Sequence, residues 1–177
     1  MAGHLHRAGR GRPQAGGEVT GMNRLECLRE RVDTLLLALP DAEERRCAYV
    51  HLYGVSQLCV LLALKRGLAV DTAAAAGMLH DLAAYTAMDA REHAGRSAAM
   101  AAPLLEGLFS SEETEQIVRA IARHSDKQAL QEPPDELLKD ADAFQHLLYD
   151  PAAQLSPHAR ARCRAVAREL GLMVREG

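Results

Sequence analysis

Leu79-His80-Asp81-Leu82 closes an apolar helical run that contains the alanine-rich stretch from Thr72 to Met78. A charged carboxylate and an imidazole beside the inward wall of a helix are costly unless another group compensates them. The two can satisfy each other in an ordinary hydrogen bond, so His80 and Asp81 alone do not define a site. The rest of the chain adds weight: His51 lies upstream, and His93, His124 and Asp140-Ala141-Asp142 lie downstream, each on its own expected helix.

Working outward, small residues before His80 permit close helix–helix approach in a third helix that starts near Asp71 or Thr72 and extends toward Tyr85. Ahead of it, Asn23 suits the cap of a first helix over 24–39, with Leu25, Leu28, Val32, Leu35, Leu36 and Leu39 at helical spacing and Pro40 as its stop. Asp41 suits the cap of a second, which passes through His51 to Arg66 and ends at Gly67. Its apolar stripe is Val55, Leu58, Cys59, Leu62 and Ala63, and His51, one turn before Val55, projects from the same side. A core histidine with a satisfied hydrogen bond would sit equally well there.

Downstream of the pair, a polar loop over 88–92 leads into a fourth helix from His93 to Leu108. Ser110 or Ser111 with Glu112, Glu113 and Glu115 marks the start of a fifth, which ends at His124. After Pro133-Pro134 a sixth begins near Asp135 and carries Leu137, Leu138, Asp142, Phe144 and Leu148 to Asp150-Pro151, and Ser156-Pro157 opens a seventh that reaches Leu170-Gly171. No strand-period segment of useful length and no internal repeat appears. The expected fold is an all-α bundle of six to seven helices.

The chain has 177 residues, about one domain, long enough to bury a core without disulfides or a structural metal. Hydrophobic residues make up 48% and aromatics 3%, with no tryptophan, a balance that favours packed helices over sheets. A formal net charge of −3 offers no general grip on nucleic acid or anionic lipid. Cys27, Cys47, Cys59 and Cys163 stand singly in apolar segments and read as buried small hydrophobes of a reduced, cytoplasmic protein. No transmembrane helix is expected. Residues 1–21 lack the apolar stretch of a secretory signal and are expected to be disordered, with Met22 starting the folded part or even translation, so 22–177 is read as a single domain.

Histidine nitrogen and aspartate oxygen suit borderline divalent metals such as iron, zinc, manganese, cobalt or nickel. Side chains from separate helices can converge on one ion because a bundle turns them inward. Such an ion lowers the pKa of bound water and polarises a phosphoryl oxygen. His93 and His124 would either hold a second ion or meet a phosphate as acids or hydrogen-bond donors.

His51, His80-Asp81 and Asp142 within Lys139-Asp140-Ala141-Asp142-Ala143 resemble the H…HD…D signature of the HD superfamily of metal-dependent phosphohydrolases, over residues 49–148. Arg119-Ala120-Ile121-Ala122-Arg123-His124 adds to the likeness. The resemblance implies that His51, His80, Asp81 and Asp142 hold one divalent ion (Fe, Mn, Zn, Co, Ni or Mg). It also implies that Asp81 bridges to a second ion where two bind, and that His93 and His124 match the extra histidines of dinuclear branches. It favours Asp142 over Asp140, which stays the alternative. The implied reaction is attack by metal-activated water on a phosphoester or phosphoanhydride of a nucleotide-like small molecule. Asp81, His93, His124 and Lys127 are its candidate catalytic residues, and a homodimer is the candidate assembly. Iron-dependent oxygenase chemistry, which some relatives perform, would call for further ligands.

The chain departs from the family pattern where Leu82-Ala83-Ala84-Tyr85 replaces a lysine or glycine after the HD pair. Lys127, in His124-Ser125-Asp126-Lys127, would then supply a mobile positive charge from another loop, or is an ordinary solvated lysine. The glycine-tyrosine-proline motif of cyclic dinucleotide phosphodiesterases and the basic signature of guanosine tetraphosphate hydrolases are absent. His146, four residues after Asp142, is a candidate to orient that carboxylate or to bond between helices. Tyr85 reads as a plug at the end of the third helix, His158 as exposed, and His4 and His6 as tail residues. Two other classes stay open: a regulatory HD domain that binds metal or nucleotide without turnover, and a helical interaction module with core histidines.

Overall fold

The computed structural model describes residues 23–87 and 92–173. The expected tail, with His4 and His6, and most of the expected 88–92 loop lie outside the described residues. In chain order the helices are α1 Arg24–Leu37, α2 Ala42–Arg66, α3 Val70–Leu79, α4 Leu82–Thr86, α5 His93–Leu105, α6 Ser111–Arg123, α7 Pro133–Tyr149 and α8 Pro157–Glu169. The fold is all-α. It contains the seven expected helices, with the third divided at His80-Asp81 into α3 and the single turn α4.

Local chemistry explains most of the boundaries. Asn23 accepts a hydrogen bond from the Leu25 N–H, Asp41 from Glu44, and Ser156 from Ala159. Ser110 and Glu113 form a reciprocal capping box. Each side chain satisfies an N–H that the first helical turn leaves without an intrahelical acceptor. At the other end of α2, Gly67 adopts the left-handed conformation at φ 67°, which costs glycine no Cβ clash. α5 ends at Leu105, earlier than the expected Leu108, and α7 starts at Pro133, where proline's fixed φ suits the first helical position.

One apolar core runs through the bundle, with Leu28, Val32 and Leu36 of α1, Leu52 and Leu62 of α2, Met78 and Leu79 of α3, Ile117 and Ile121 of α6 and Leu138 and Phe144 of α7. α2 is its central rod, packed on α3, α7, α4 and α1. By length and composition α2 is apolar enough to cross a membrane, which the expectation of no such segment overlooked; here it is the core helix. The α2–α3 contact is close enough that a Cβ on Gly77 would lie 2.7 Å from Ser56 Cα, while Ser56 Oγ donates to the Ala74 carbonyl at 2.9 Å. This approach brings the end of α3, and so His80, against His51. Cys59 and Cys163 are buried as expected, whereas Cys27 and Cys47 are only partly covered; all four are free thiols.

Candidate metal centre

The α3–α4 junction is where the pattern of an ordinary helix gives way. Asp81, a residue type that normally caps, precedes α4 at φ −114° and ψ 14° and makes no capping hydrogen bond. Its carboxylate is spent elsewhere, between two sets of imidazoles. Asp81 Oδ2 lies 3.4 Å from both His51 Nε2 and His80 Nε2. Those two nitrogens are 3.2 Å apart, and Asp142 Oδ1 stands 3.7 Å from the first and 3.8 Å from the second. On the opposite side, Asp81 Oδ1 lies 3.1 Å from His124 Nε2 and 3.4 Å from His93 Nε2, which are 3.2 Å from each other. His93 opens α5 directly after Glu92, a non-glycine residue at φ 51° and a strained way to start a helix.

The other ring nitrogens decide what these histidines present. His80 Nδ1 is 2.9 Å from the Gly77 carbonyl and His124 Nδ1 is 2.7 Å from the Ile121 carbonyl. A carbonyl only accepts, so both Nδ1 atoms carry a proton and donate it, and in the neutral ring Nε2 is then the lone pair. His51 Nδ1 donates likewise to Gln145 Oε1 at 2.8 Å. Three lone pairs thus face carboxylate oxygens, an arrangement of acceptors that repel one another unless a cation lies among them.

The carboxylates have the matching electrostatics. Burial pushes the Asp81 carboxyl up, but the surrounding imidazoles, His80 foremost and then His124 and His51, outweigh it and hold the group below the ordinary carboxylate range. Burial likewise raises Asp142, and His146, Lys127 and His80 more than reverse the effect. Asp81 Oδ1 and Asp142 Oδ1 are buried without hydrogen-bond partners among the described residues. Orphaned carboxylate oxygens opposite imidazole Nε2 atoms whose Nδ1 partners are acceptors fit a divalent cation by donor type and by direction. The groups His51, His80, Asp142 and His80, Asp81, His124 each bring their donor atoms within 4.8 Å of one another.

All the sequence-named candidates for the first pocket, His51, His80, Asp81 and Asp142, converge, as do His93 and His124 on the second. Lys127 also arrives: its Nζ is ion-paired with Asp142 Oδ2. Asp140 does not, because its carboxylate is taken by Arg162 at 2.7 Å and Arg66 at 2.9 Å on the far side of α7. His146 Nε2 is 3.3 Å from Asp142 Oδ1 at the exposed mouth, where its closeness to that carboxylate raises its pKa. Tyr85 packs beside His51 with ring centroids 6.2 Å apart, and burial, then Asp81, pushes its hydroxyl pKa up, so it stays protonated. His158 is exposed. Sequence reasoning passed over Gln145 as a partner of His51, although it sits one turn after Asp142 on the same face of α7.

An all-α bundle with histidines and aspartates from α2, the α3–α4 junction, α6 and α7 turned onto one cluster defines a class of metal-site protein whose ligand order is H…HD…D. The family model for the HD domain matches residues 48–147, and the chain belongs to that family. A crystal structure of a predicted HD superfamily hydrolase from an uncultured Thermotogales bacterium is similar at 20% sequence identity, with a TM-score of 0.57 over 81% of this chain and 89% of that one. At that identity the likeness shows a shared fold. No curated protein matches the chain significantly.

Proposed function

We propose that the protein is a metal-dependent phosphohydrolase acting on a phosphoester or phosphoanhydride of a nucleotide-like small molecule. The observation that carries the reading is the Asp81 carboxylate, which turns one oxygen to His51 and His80 and the other to His93 and His124. His51, His80, Asp81 and Asp142 would hold one divalent ion of the manganese, iron, cobalt, nickel, zinc or magnesium type, and Asp81, His93 and His124 a second. Such ions supply Lewis-acid polarisation of a phosphoryl oxygen and a lowered pKa for water.

The chain's own groups do the rest. Gln145 and the Gly77 and Ile121 carbonyls fix the imidazoles in one tautomer, so no reorientation is needed when substrate arrives. Lys127 and His146 stand on either side of Asp142 at the solvent-facing mouth, where cationic or N–H groups offset charge developing on phosphoryl oxygens. Lys127 thereby fills the role left open by the apolar residues after Asp81.

The test is elemental analysis of untagged protein, followed by a hydrolysis screen over nucleoside mono- and polyphosphates, dinucleoside polyphosphates and small phosphomonoesters. Stoichiometric metal and hydrolysis, both lost in Asp81→Ala, are expected. Full activity in that variant or in metal-stripped protein refutes the reading, and metal without hydrolysis anywhere in the panel points to a regulatory domain instead.

A further inference from the structure

Lys139 is completely buried, one of three lysines in the chain with Lys65 and Lys127. Removing an ammonium from water is expensive unless it is paired and hydrogen-bonded. Its partners are unusual for a core group: Nζ donates to the Ala129 carbonyl at 2.8 Å and to Glu136 Oε1 at 2.9 Å. The same Glu136 oxygen accepts the Gln131 N–H at 3.1 Å, and Glu136 Oε2 accepts from Arg162 at 2.7 Å. Arg162 also donates to the Lys127 carbonyl at 3.4 Å and to Asp140 Oδ1 at 2.7 Å. Backbone atoms of residues 127, 129 and 131 are thus each tied to one interlocked cation–carboxylate–cation set drawn from α7 and α8.

The loop so held leaves α6 directly after His124 and folds through a turn in which Asp126 Oδ1 accepts from Gln128 N at 3.3 Å and Ala129 N at 3.2 Å. Its one side chain in the metal centre is Lys127. We propose that Lys139, Glu136 and Arg162 are positioning residues: they clamp the backbone of this loop so that the Lys127 ammonium is presented to Asp142 and to the substrate's phosphoryl group. The phosphoryl half rests on the function proposed above; the clamp on Lys127 does not. A set of ion pairs that only knits α8 to α7 would need no bonds to loop backbone, and here there are three, on alternate residues.

The experiment compares Arg162→Gln and the near-isosteric Lys139→Met with wild type, in full-length protein whose folding is checked by thermal denaturation. Lysine acetylation by an N-hydroxysuccinimide ester, resolved by mass spectrometry, reads the clamp directly, with exposed Lys65 as internal reference. Lys127 should acetylate severalfold faster in both variants while Lys65 is unchanged. In manganese-loaded protein kcat/KM should fall roughly tenfold to a hundredfold, the scale of a misplaced binding group, with metal content unaltered. In a Lys127→Ala background, Arg162→Gln should cost nothing further. Unchanged Lys127 labelling in folded Arg162→Gln overturns the proposal, as does an equal loss in the two backgrounds; if Lys139→Met does not fold, Arg162→Gln alone decides. Wild type without hydrolysis would refute the enzymatic reading, while the labelling result would still settle the clamp.

Discussion

Replacing Gly77 with alanine tests whether the metal centre exists because α2 and α3 approach so closely. The new Cβ would stand 2.7 Å from Ser56 Cα, 2.8 Å from Ser56 N and 3.0 Å from Cys59 Sγ. Carbon atoms pack best at about 3.5–4.0 Å, so the two helices must part by about 0.8 Å or more. Two of the obstructing atoms are backbone and cannot rotate aside, which places the cost near the upper end of the ~1–3 kcal/mol seen for overpacking. Alanine in a helix returns ~0.5–1 kcal/mol relative to glycine, leaving a net loss of about 2 kcal/mol. For a chain of this size that lowers Tm by roughly 4–8 °C.

Because His80 follows Gly77 by less than one turn, the same displacement moves its Nε2 away from His51. The Gly77 carbonyl that fixes the His80 tautomer moves too. Metal affinity should fall by about tenfold to a hundredfold, as when a ligand's supporting group is lost. The assays are thermal denaturation of metal-stripped protein, so that bound ion does not mask the change, and calorimetric titration with manganese. Gly95→Ala is the control: it lies on α5 with nothing within 4 Å of its Cβ, and should stabilise by ~0.5–1 kcal/mol. If Gly77→Ala melts at or above wild type while Gly95→Ala behaves as stated, the reasoning from close helix approach fails.

Asp142→Asn should abolish metal binding at the four-donor pocket. Asp140→Asn should leave the metal content intact and cost about 1–3 kcal/mol from weakened bonds to Arg66 and Arg162, read by urea denaturation; the reverse ranking would move the ligand to Asp140. His93→Ala and His124→Ala should each lower metal stoichiometry but keep the ion held by His51, His80 and Asp142, and a fall to zero would show that the two pockets are not separate. Stability should also be lost in acid: Glu169 is held below the ordinary glutamate range by Arg66, and Glu136 is too, because Arg162 and Lys139 outweigh its burial. Groups with depressed folded-state pKa values stabilise above the unfolded pKa and cease to do so as pH falls through the folded one. The urea midpoint should therefore drop below about pH 4.5, less steeply in Glu169→Gln, and an identical acid profile in that variant would exclude its contribution.

What could be read from the chain alone divides by the range of the interaction. Helix starts at Asn23, Asp41, Ser110 and Ser156 follow from side chains that reach their own backbone, so composition a few residues wide is enough. The break after Leu79 has no such signal, since neither glycine nor proline stands there; the Asp81 carboxylate at that break lies between neighbouring His80 and three histidines from other elements, His51, His93 and His124. Asp140 and Asp142 are chemically equivalent and stand about 200° apart around one helix, so one must face away from the centre. Arg66 and Arg162 decide which, and neither is near in sequence.

The same reasoning accounts for the cation missing after Asp81. A phosphohydrolase needs positive charge at a place in space, and any segment that reaches the place will serve. Read linearly, Leu82-Ala83-Ala84-Tyr85 suggests a weakened site, because the positions one turn beyond the carboxylate are apolar. In the folded chain α4 turns Leu82 and Ala83 into the core, and a lysine replacing either would be buried away from solvent. On the function proposed above the charge would come instead from Lys127, whose loop is bonded at residues 127, 129 and 131 by side chains of α7 and α8. On that proposal the completeness of the site rests on the loop's anchoring: weakening the grip of Arg162 should degrade the centre as a lost functional group would, with every predicted ligand still in place.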